Sequence, residues 1–328
     1  MGIPNERSKI IRLTWWCIIL SVIVAVEGVF LFIFGKKLFD EKSGQPVALK
    51  YEFPYEMSFG DSEIAVAVED NYVKYLHKAY VLFGEYPDCE LVKISPNIER
   101  NNFDFENDFV YDDNGTTNFL YHVENGEKTS RVAIDVSDYQ NEIDWKKVKN
   151  AGVSVAVVRL GFRGYGSKGS LNLDPKFSNH FDNARKAGLE VMPYFFSEAI
   201  NYDEGVEEAK FAIENLKNHG KIEAIVVDTE YIYTDDTVRA NDISIEDRTS
   251  AIKGFCETVR SAGYTPIIYA SHGWFLLNMD LEQLKDYEFW LAAYDNPDFP
   301  YVMAGWQYTP YGSCPGVEGD VDISVWMR

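Results

Sequence analysis

From Arg131 onward the chain alternates apolar runs of strand type with amphipathic runs of helix type, and this alternation restricts the fold more than any other feature. The predicted strands are Arg131–Asp135, Val155–Leu160, Glu190–Phe196, Ala224–Glu230, Pro266–Ala270, Phe289–Tyr294, Gly305–Tyr308 and Val321–Val325. The predicted helices are Asp144–Asn150, Asp174–Ala187, Asp203–His219 and Ile245–Ala262. A glycine follows each helix, as is common where helices end: Gly152, Gly188, Gly220 and Gly263.

Strands that alternate with helices form parallel sheets, because a parallel pair needs a long crossover connection. About eight strands favour a closed barrel over an open sheet. The last strands lie too close together in sequence for full helices between them. We therefore predict an α/β fold: an irregular TIM-like barrel with regular strand–helix units first and short antiparallel strands last.

Two acidic residues end the fourth predicted strand, which reads Ile-Val-Val-Asp-Thr-Glu over residues 225–230. Side chains alternate along a strand, so Asp228 and Glu230 point to the same face. Two neighbouring acids cannot both ionise freely, and one of them keeps its proton to higher pH. An acid beside a carboxylate is what hydrolysis of a glycosidic bond requires. Acids also end many strands as helix caps or loop residues, so the pair alone is a weak signal.

Other predicted strands also carry polar or aromatic residues near their carboxyl ends. These residues are Asp135, Arg159, Tyr194, Tyr269, Trp290, Tyr294, Trp306, Gln307 and Asp322. If the strands close into a barrel, these side chains meet at one mouth. Aromatic rings stack on the apolar faces of sugars, while acids bind hydroxyl groups or donate protons. The set predicts a carbohydrate site, although each tryptophan alone is more often a core residue and Arg159 is as often part of a structural ion pair.

The motifs of this region resemble those of the glycoside hydrolase family 25 lysozymes, the Chalaropsis-type N-acetylmuramidases. The resemblance covers about residues 130–328. The matching segments, in order, are Val132–Ser137 with Gln140, Ile143–Trp145, Arg159–Gly161, Asp174–Phe177, Ala187–Leu189, Pro193–Phe196, Asp228–Glu230, Ala262–Tyr264, Ile268–Tyr269, Trp290–Tyr294, Trp306–Tyr308, Pro315–Val317 and Val321–Ile323.

The resemblance implies a (β/α)5β3 barrel that cleaves the β-1,4 bond between N-acetylmuramic acid and N-acetylglucosamine in peptidoglycan. By motif match, Glu230 is the general acid, and Asp228 assists the reacting N-acetyl group or stabilises the cation. Asp135 and Asp322 match two supporting acids. Phe195 departs from the pattern, because many members carry His after the tyrosine.

The stereochemical outcome stays open at the level of sequence. Two strand residues span roughly 6.6 Å, which falls between the carboxyl separations of retaining and inverting enzymes. The resemblance favours substrate-assisted retention.

The composition excludes several classes of ligand. A net charge of -21 argues against nucleic acid or anionic lipid held by charge. No His and Cys cluster has metal-ligand spacing, so the sequence indicates neither a metal nor a cofactor. Cys89, Cys256 and Cys314 are too few and too widely spaced for a disulfide framework; one bridge, Cys256–Cys314 or Cys89–Cys314, or three free thiols fit the count.

The N-terminus carries a nearly continuous apolar run from Leu13 to Phe34, in which Glu27 is the only charge. About 20 such residues cross a bilayer as a helix. No cleavage site of signal-peptide type follows the run, and basic residues precede it. We predict a single-pass membrane anchor with the rest of the chain outside the cytoplasm.

The sequence thus predicts three parts: an anchor at 1–36, a linker with a small α+β module at 37–129, and the catalytic barrel at 130–328. Within the module, residues 109–121 resemble a hairpin around an Asn-Gly turn, and Glu63–Phe83 has the pattern of a helix. The module carries no motif that assigns chemistry.

The predicted function is peptidoglycan hydrolysis in cell-wall remodelling, with glycan strands as the partner. Two alternatives remain open: a membrane-anchored protein that binds peptidoglycan without turnover, and a hydrolase of another N-acetylated glycan such as chitin. Turnover on peptidoglycan and on chitin distinguishes the three.

Overall fold

Strands and helices alternate from residue 131 as the sequence predicts. The computed structural model describes residues 49–50, 77–84, 90–113, 117–234, 237–294 and 297–328. The strands are β1 (Leu49–Lys50), β2 (Tyr80–Phe83), β3 (Glu90–Lys93), β4 (Phe109–Asp113), β5 (Asn118–Glu124), β6 (Glu127–Lys128), β7 (Arg131–Val136), β8 (Val153–Arg163), β9 (Leu171–Leu173), β10 (Glu190–Phe196), β11 (Ala224–Asp228), β12 (Thr265–Ser271), β13 (Glu288–Ala292), β14 (Gly305–Gly312) and β15 (Val321–Trp326). The helices are α1 (Trp145–Asn150), α2 (Phe177–Lys186), α3 (Tyr202–Leu216), α4 (Ile245–Ser261), α5 (His272–Asn278) and α6 (Leu281–Leu284).

Eight of these strands close into a barrel, which confirms the predicted architecture. The strand order is β7, β8, β10, β11, β12, β13, β14 and β15, and β15 pairs back to β7. Every neighbouring pair is parallel except the two that involve β15. The prediction that the late strands are antiparallel is confirmed for the pairing of β14 with β15 and is wrong for the pairing of β13 with β14. The short helices α5 and α6, which the sequence analysis did not predict, provide the crossover from β12 to β13.

Alternation along each strand divides the core of the barrel into two layers. On β11, Ala224 and Val226 point into the barrel, where they pack with residues such as Trp290 and Trp326. Ile225 and Val227 point outward, into the layer beneath the helices. Because both faces of a barrel strand are buried, the strands are continuous apolar runs and not alternating ones.

The described part of the N-terminal segment forms two small antiparallel sheets, β1-β3-β2 and β4-β5-β6. Pairing of β4 with β5 confirms the predicted hairpin. The helix predicted over Glu63–Phe83 is wrong at its end, because Tyr80–Phe83 is a strand paired with β3; its earlier part lies outside the described residues.

This N-terminal segment packs directly on the barrel, and the described residues of both belong to one compact unit. Phe105 and Phe109 contact the indole of Trp306 at centroid distances of 5.7 and 5.1 Å. The backbone N–H of Leu120 donates to the hydroxyl of Tyr308 at 3.2 Å. The described residues between β13 and β14 include no helix, so the N-terminal segment covers apolar barrel surface that a helix covers elsewhere.

Two further sequence predictions concern the anchor and the thiols. Among the helices that the structure describes, none has the length and apolar character required to cross a bilayer. The run Leu13–Phe34 itself lies outside the described residues, as do Cys17 and Cys89. Cys256 and Cys314 are buried free thiols, so neither bridge considered from the sequence is formed.

Candidate active site

A cleft opens at the carboxyl ends of the barrel strands, and four acidic side chains line it. These are Asp135, Asp228, Glu230 and Asp322. The four acids meet because each lies on the face of its strand that points into the barrel. On β11, for example, Asp228 follows Ala224 and Val226 on the inner face. Residues from β7, β11 and β15 thus meet at one mouth although they lie far apart in sequence.

Asp135 and Asp322 form the first pair of carboxyl groups. They are direct cross-strand partners in the antiparallel pairing of β15 with β7. Burial, and then the neighbouring charge of Asp322, raise the pKa of Asp135 well above its ordinary value. Burial raises the pKa of Asp322 to about 6, and a hydrogen bond from Asp135 opposes that rise. The proton of this pair therefore resides on the more deeply buried Asp135.

Gln307 holds this pair from behind. Its Nε2 donates to Asp135 Oδ2 at 3.0 Å, and its Oε1 accepts from the hydroxyls of Tyr269 at 2.9 Å and Tyr294 at 2.8 Å. The amide is 2% exposed and does not line the cleft. Because all these bonds run to other side chains, Gln307, which the sequence analysis predicted to contact substrate, orients Asp135 from behind the lining of the cleft.

Asp228 and Glu230 form the second pair, at the end of β11 and just beyond it. A hydrogen bond links their carboxyl groups. Burial is the main cause that raises the pKa of both, and the charge of Glu230 raises that of Asp228 further, well above its ordinary value. Among the described residues, Asp228 Oδ1 has no hydrogen-bond partner. The pair therefore retains a shared proton at higher pH than an isolated Asp or Glu does.

The backbone around this second pair is fixed on both sides. The N–H of Ser197 donates to the carbonyl oxygen of Asp228 at 2.8 Å, and the N–H of Thr229 donates to that of Tyr269 at 3.1 Å. Thr229 points away from the cleft, where its Oγ1 accepts from Nε1 of the buried Trp274 at 3.1 Å. These contacts hold the two carboxyl groups in place before any ligand arrives.

Three of the predicted aromatic residues line the cleft: Tyr194, Tyr269 and Trp290. Trp290 is also a core residue, because it is 2% exposed and its Nε1 donates to Ser324 Oγ at 3.0 Å. Tyr294 is 49% exposed just beyond β13 and is tied to the site through Gln307. The arrangement provides an aromatic floor below the carboxyl groups.

Trp306, which the sequence analysis predicted to contact substrate, does not face the cleft. Neighbouring strand residues point to opposite faces, and Gln307 takes the inward position on β14. The indole therefore lies outside the barrel wall, where its Nε1 donates to the carbonyl oxygen of Ala293 at 2.7 Å. Its ring packs against Phe105 and Phe109 of the N-terminal segment.

Arg159 lines the cleft but is largely engaged by neighbouring acids. Its Nε donates to Asp174 Oδ2 at 2.7 Å, and its Nη2 donates to Asp138 Oδ1. Asp174 is 1% exposed, so this is a buried ion pair that needs its partner. Arg159 therefore forms the structural ion pair that the sequence analysis considered for it, and it also lines the cleft.

Several lining residues received no individual role from the sequence: Val136, Ser137, Tyr139, Gln140 and Phe196. All of them lie at or beyond the carboxyl end of β7 or β10. Loops after barrel strands border the mouth at this end, so loop position was the signal that could have identified them. Among the residues described, no group of three or more His, Cys, Asp or Glu side chains is arranged so that it could hold a metal ion.

Comparison with known proteins bears on the same region. The model of the family "Glycosyl hydrolases family 25" matches residues 134–317, more than half of the chain. The chain therefore belongs to glycosyl hydrolases family 25.

The relatives are distant, and the match covers only part of each chain. An autolytic lysozyme of Clostridium acetobutylicum is 23% identical over 192 residues, which are 58% of this chain and 54% of that protein. Lysozyme M1 of Streptomyces globisporus is 26% identical over 205 residues, 58% of this chain and 65% of that protein. The chain thus spans between half and two thirds of the length of these relatives.

Solved structures share the fold. The modular autolysin LytC from Streptococcus pneumoniae superposes with a TM-score of 0.53 at 24% identity, covering 75% of this chain and 56% of that one. The spore cortex lytic enzyme SleM from Clostridium perfringens gives a TM-score of 0.52 at 19% identity, covering 62% and 69%. At these identities the likeness concerns the fold.

Proposed function

We propose that this chain is a peptidoglycan hydrolase of the Chalaropsis type, an N-acetylmuramidase that cleaves the β-1,4 bond between N-acetylmuramic acid and N-acetylglucosamine. The observation that carries the proposal is the hydrogen-bonded pair of Asp228 and Glu230 at the mouth of the barrel. Membership of family 25 and the lysozyme activity named for its relatives support the choice of substrate.

In this proposal Glu230 is the general acid that protonates the leaving oxygen, and Asp228 acts on the 2-acetamido group of the substrate. Asp228 and Glu230 are close enough for their carboxyl groups to interact directly. That closeness supports a substrate-assisted route, in which the acetamido oxygen is the nucleophile and configuration is retained.

The position of the proton follows from what binds Asp228. In the free cleft, the strongly raised pKa of Asp228 and its hydrogen bond to Glu230 leave the shared proton on Asp228. The N–H of a substrate acetamido group would donate to the Asp228 carboxylate and so favour its ionised form. The proton then moves to Glu230, where the leaving oxygen needs it. Asp135 and Asp322 support the positive charge that develops on the sugar ring.

The direct test is turnover by the purified protein on two substrates. We expect reducing ends to appear with insoluble peptidoglycan and not with chitin, and the released fragments to end in N-acetylmuramic acid. Release from chitin alone would favour a hydrolase of another N-acetylated glycan. Binding to peptidoglycan without any reducing ends would favour a binding protein.

We further propose that the apolar run Leu13–Phe34 anchors the chain in the cell membrane as a single-pass helix, with the barrel outside the cytoplasm. The length of the run and the basic residues before it support this. An anchor would confine hydrolysis to glycan near the membrane, as wall remodelling by the producing cell requires. We expect the full chain to stay in the membrane fraction after a carbonate wash and a chain from residue 37 to be released; equal partition of the two would contradict the anchor.

A further inference from the structure

Tyr139 presents an exposed aromatic ring at the rim of the cleft. The side chain is 83% exposed, yet it lines the same cleft as Asp135 and Glu230. An aromatic ring left in water gives up the free energy of burial that it would gain in the core. Exposure at the entrance to a carbohydrate cleft therefore suggests a ring that is kept for a ligand.

The loop that carries this ring is braced internally. The N–H of Ser137 donates to Gln140 Oε1 at 2.9 Å, and the N–H of Gln140 donates to the carbonyl oxygen of Ser137 at 3.3 Å. The N–H of Tyr139 donates to Ser137 Oγ, also at 3.3 Å. The loop is thus a closed turn that fixes the direction in which the Tyr139 side chain leaves the backbone.

Two charged residues just before α2, one buried and one half-buried, hold the same loop by hydrogen bonds. The N–H of Asp138 donates to Asp174 Oδ2 at 3.1 Å. Lys176 Nζ donates to the carbonyl oxygens of Asp138 at 2.9 Å and Gln140 at 2.8 Å. An exposed surface loop does not need this many anchors for its own stability, whereas a preorganised binding element does.

One side of the tyrosine ring faces a cation. The guanidinium carbon of Arg159 lies 5.2 Å from the ring centroid, and Asp138 and Asp174 hold that guanidinium in place. A cation at this distance interacts favourably with the π face of the ring and limits its rotation. The exposed remainder of the ring is left for an incoming group.

We propose that Tyr139 is a stacking platform for an N-acetylglucosamine ring of the glycan strand, next to the bond that is cleaved. This rests on the proposed function, since a muramidase places N-acetylmuramic acid at the reacting position and both of its neighbours in the strand are N-acetylglucosamine. The charge around the platform favours the neutral sugar: Asp138 and Asp174 pair with Arg159, and the acidic cleft beside them would repel the carboxylate of a second muramic acid.

Steady-state kinetics on soluble peptidoglycan glycan strands test the platform. Stacking energies of aromatic groups correspond to an expected rise in KM of about 3- to 10-fold for Tyr139→Ala. The value of kcat should stay within about twofold, because a platform that does not touch the reacting atoms binds the ground state and the transition state alike. Tyr139→Phe and Tyr139→Trp keep the ring and should keep KM within about twofold of the parent.

A tyrosine outside the cleft provides the matched control. Tyr311 on β14 is 78% exposed and does not line the cleft, so Tyr311→Ala should leave KM unchanged. An unchanged KM for Tyr139→Ala, or an equal loss with Tyr139→Phe, would overturn the stacking role. Thermal unfolding of each variant should match the parent, since both side chains are largely in solvent.

A binding experiment separates this inference from the proposed function. Calorimetric titration with chitotriose, a β-1,4 trimer of N-acetylglucosamine, measures the affinity of the cleft for the sugar independently of peptidoglycan cleavage. We expect Tyr139→Ala to weaken its binding about 3- to 10-fold, whether or not the protein cleaves peptidoglycan. If the parent cleaves peptidoglycan but both proteins bind chitotriose equally, the platform is wrong and the proposed function stands.

Discussion

Replacing Glu230 with Gln is expected to lower kcat on peptidoglycan by about 10²- to 10⁴-fold, the range that a general acid contributes. The amide has nearly the shape of the acid but holds no proton that it can transfer to the leaving oxygen. Because the other three carboxyl groups of the cleft remain, binding of the glycan should persist. Reducing-end release measured at several substrate concentrations gives kcat and KM separately, and the loss should fall on kcat.

The matched control lies at the other end of the same strand. Glu223 is exposed beside the start of β11 and pairs with Lys221 at 2.9 Å, so Glu223→Gln makes the same chemical change without touching the cleft. It should retain full activity. Activity of Glu230→Gln within tenfold of the parent would refute the assignment of Glu230 as the acid.

Stability provides a second readout for the same variant. The pKa of Glu230 is raised in the folded protein, so above its unfolded pKa this ionised group costs free energy of folding. A neutral amide removes that cost and the repulsion from the charge of Asp322. We therefore expect Glu230→Gln to unfold at the same temperature as the parent or higher at neutral pH, which separates lost chemistry from lost structure.

Much of the barrel and of the site could be predicted from the sequence, because both depend on local periodicity. Glu190–Phe196 was predicted with the bounds that the structure shows, and the acids of β11 were placed on one face by counting residues. The register between paired strands could not be predicted in this way. That Asp322 lies directly opposite Asp135 depends on the pairing of β15 with β7, which no local pattern encodes.

The errors share a physical origin in contacts between distant parts of the chain. Trp306 and Gln307 are neighbours, and choosing which one faces inward requires the phase of a short strand that has register shifts after Gln307. Trp306 was predicted to contact a ligand because nothing near it in sequence indicates its packing partners. These partners, Phe105 and Phe109, lie about 200 positions earlier in the chain. Tyr139 was missed for the converse reason: its loop has no periodicity, and only the closed barrel places it at the cleft.

Those distant contacts lead to the second large effect. Phe109→Ala is expected to lower the free energy of unfolding by about 3 to 5 kcal/mol, the usual cost of deleting a buried aromatic side chain. Phe109 is 8% exposed, stacks on Phe105 at 5.4 Å and meets the edge of Trp306 at 5.1 Å. The cavity would open between the hairpin and the wall of the barrel beside Gln307, so part of the loss is support for the active-site strand β14.

Urea unfolding followed by tryptophan fluorescence measures this change, because Trp306 is at the interface. Val110→Ala is the control: Val110 is the next residue of β4, points to the other face and is 51% exposed, so its loss should change stability by no more than about 0.5 kcal/mol. A single cooperative transition that shifts to lower urea for Phe109→Ala would show that the N-terminal segment and the barrel unfold together. If the barrel transition stays in place and only a separate early transition moves, the segment is an independent module, and the support of β14 that we infer for it does not exist.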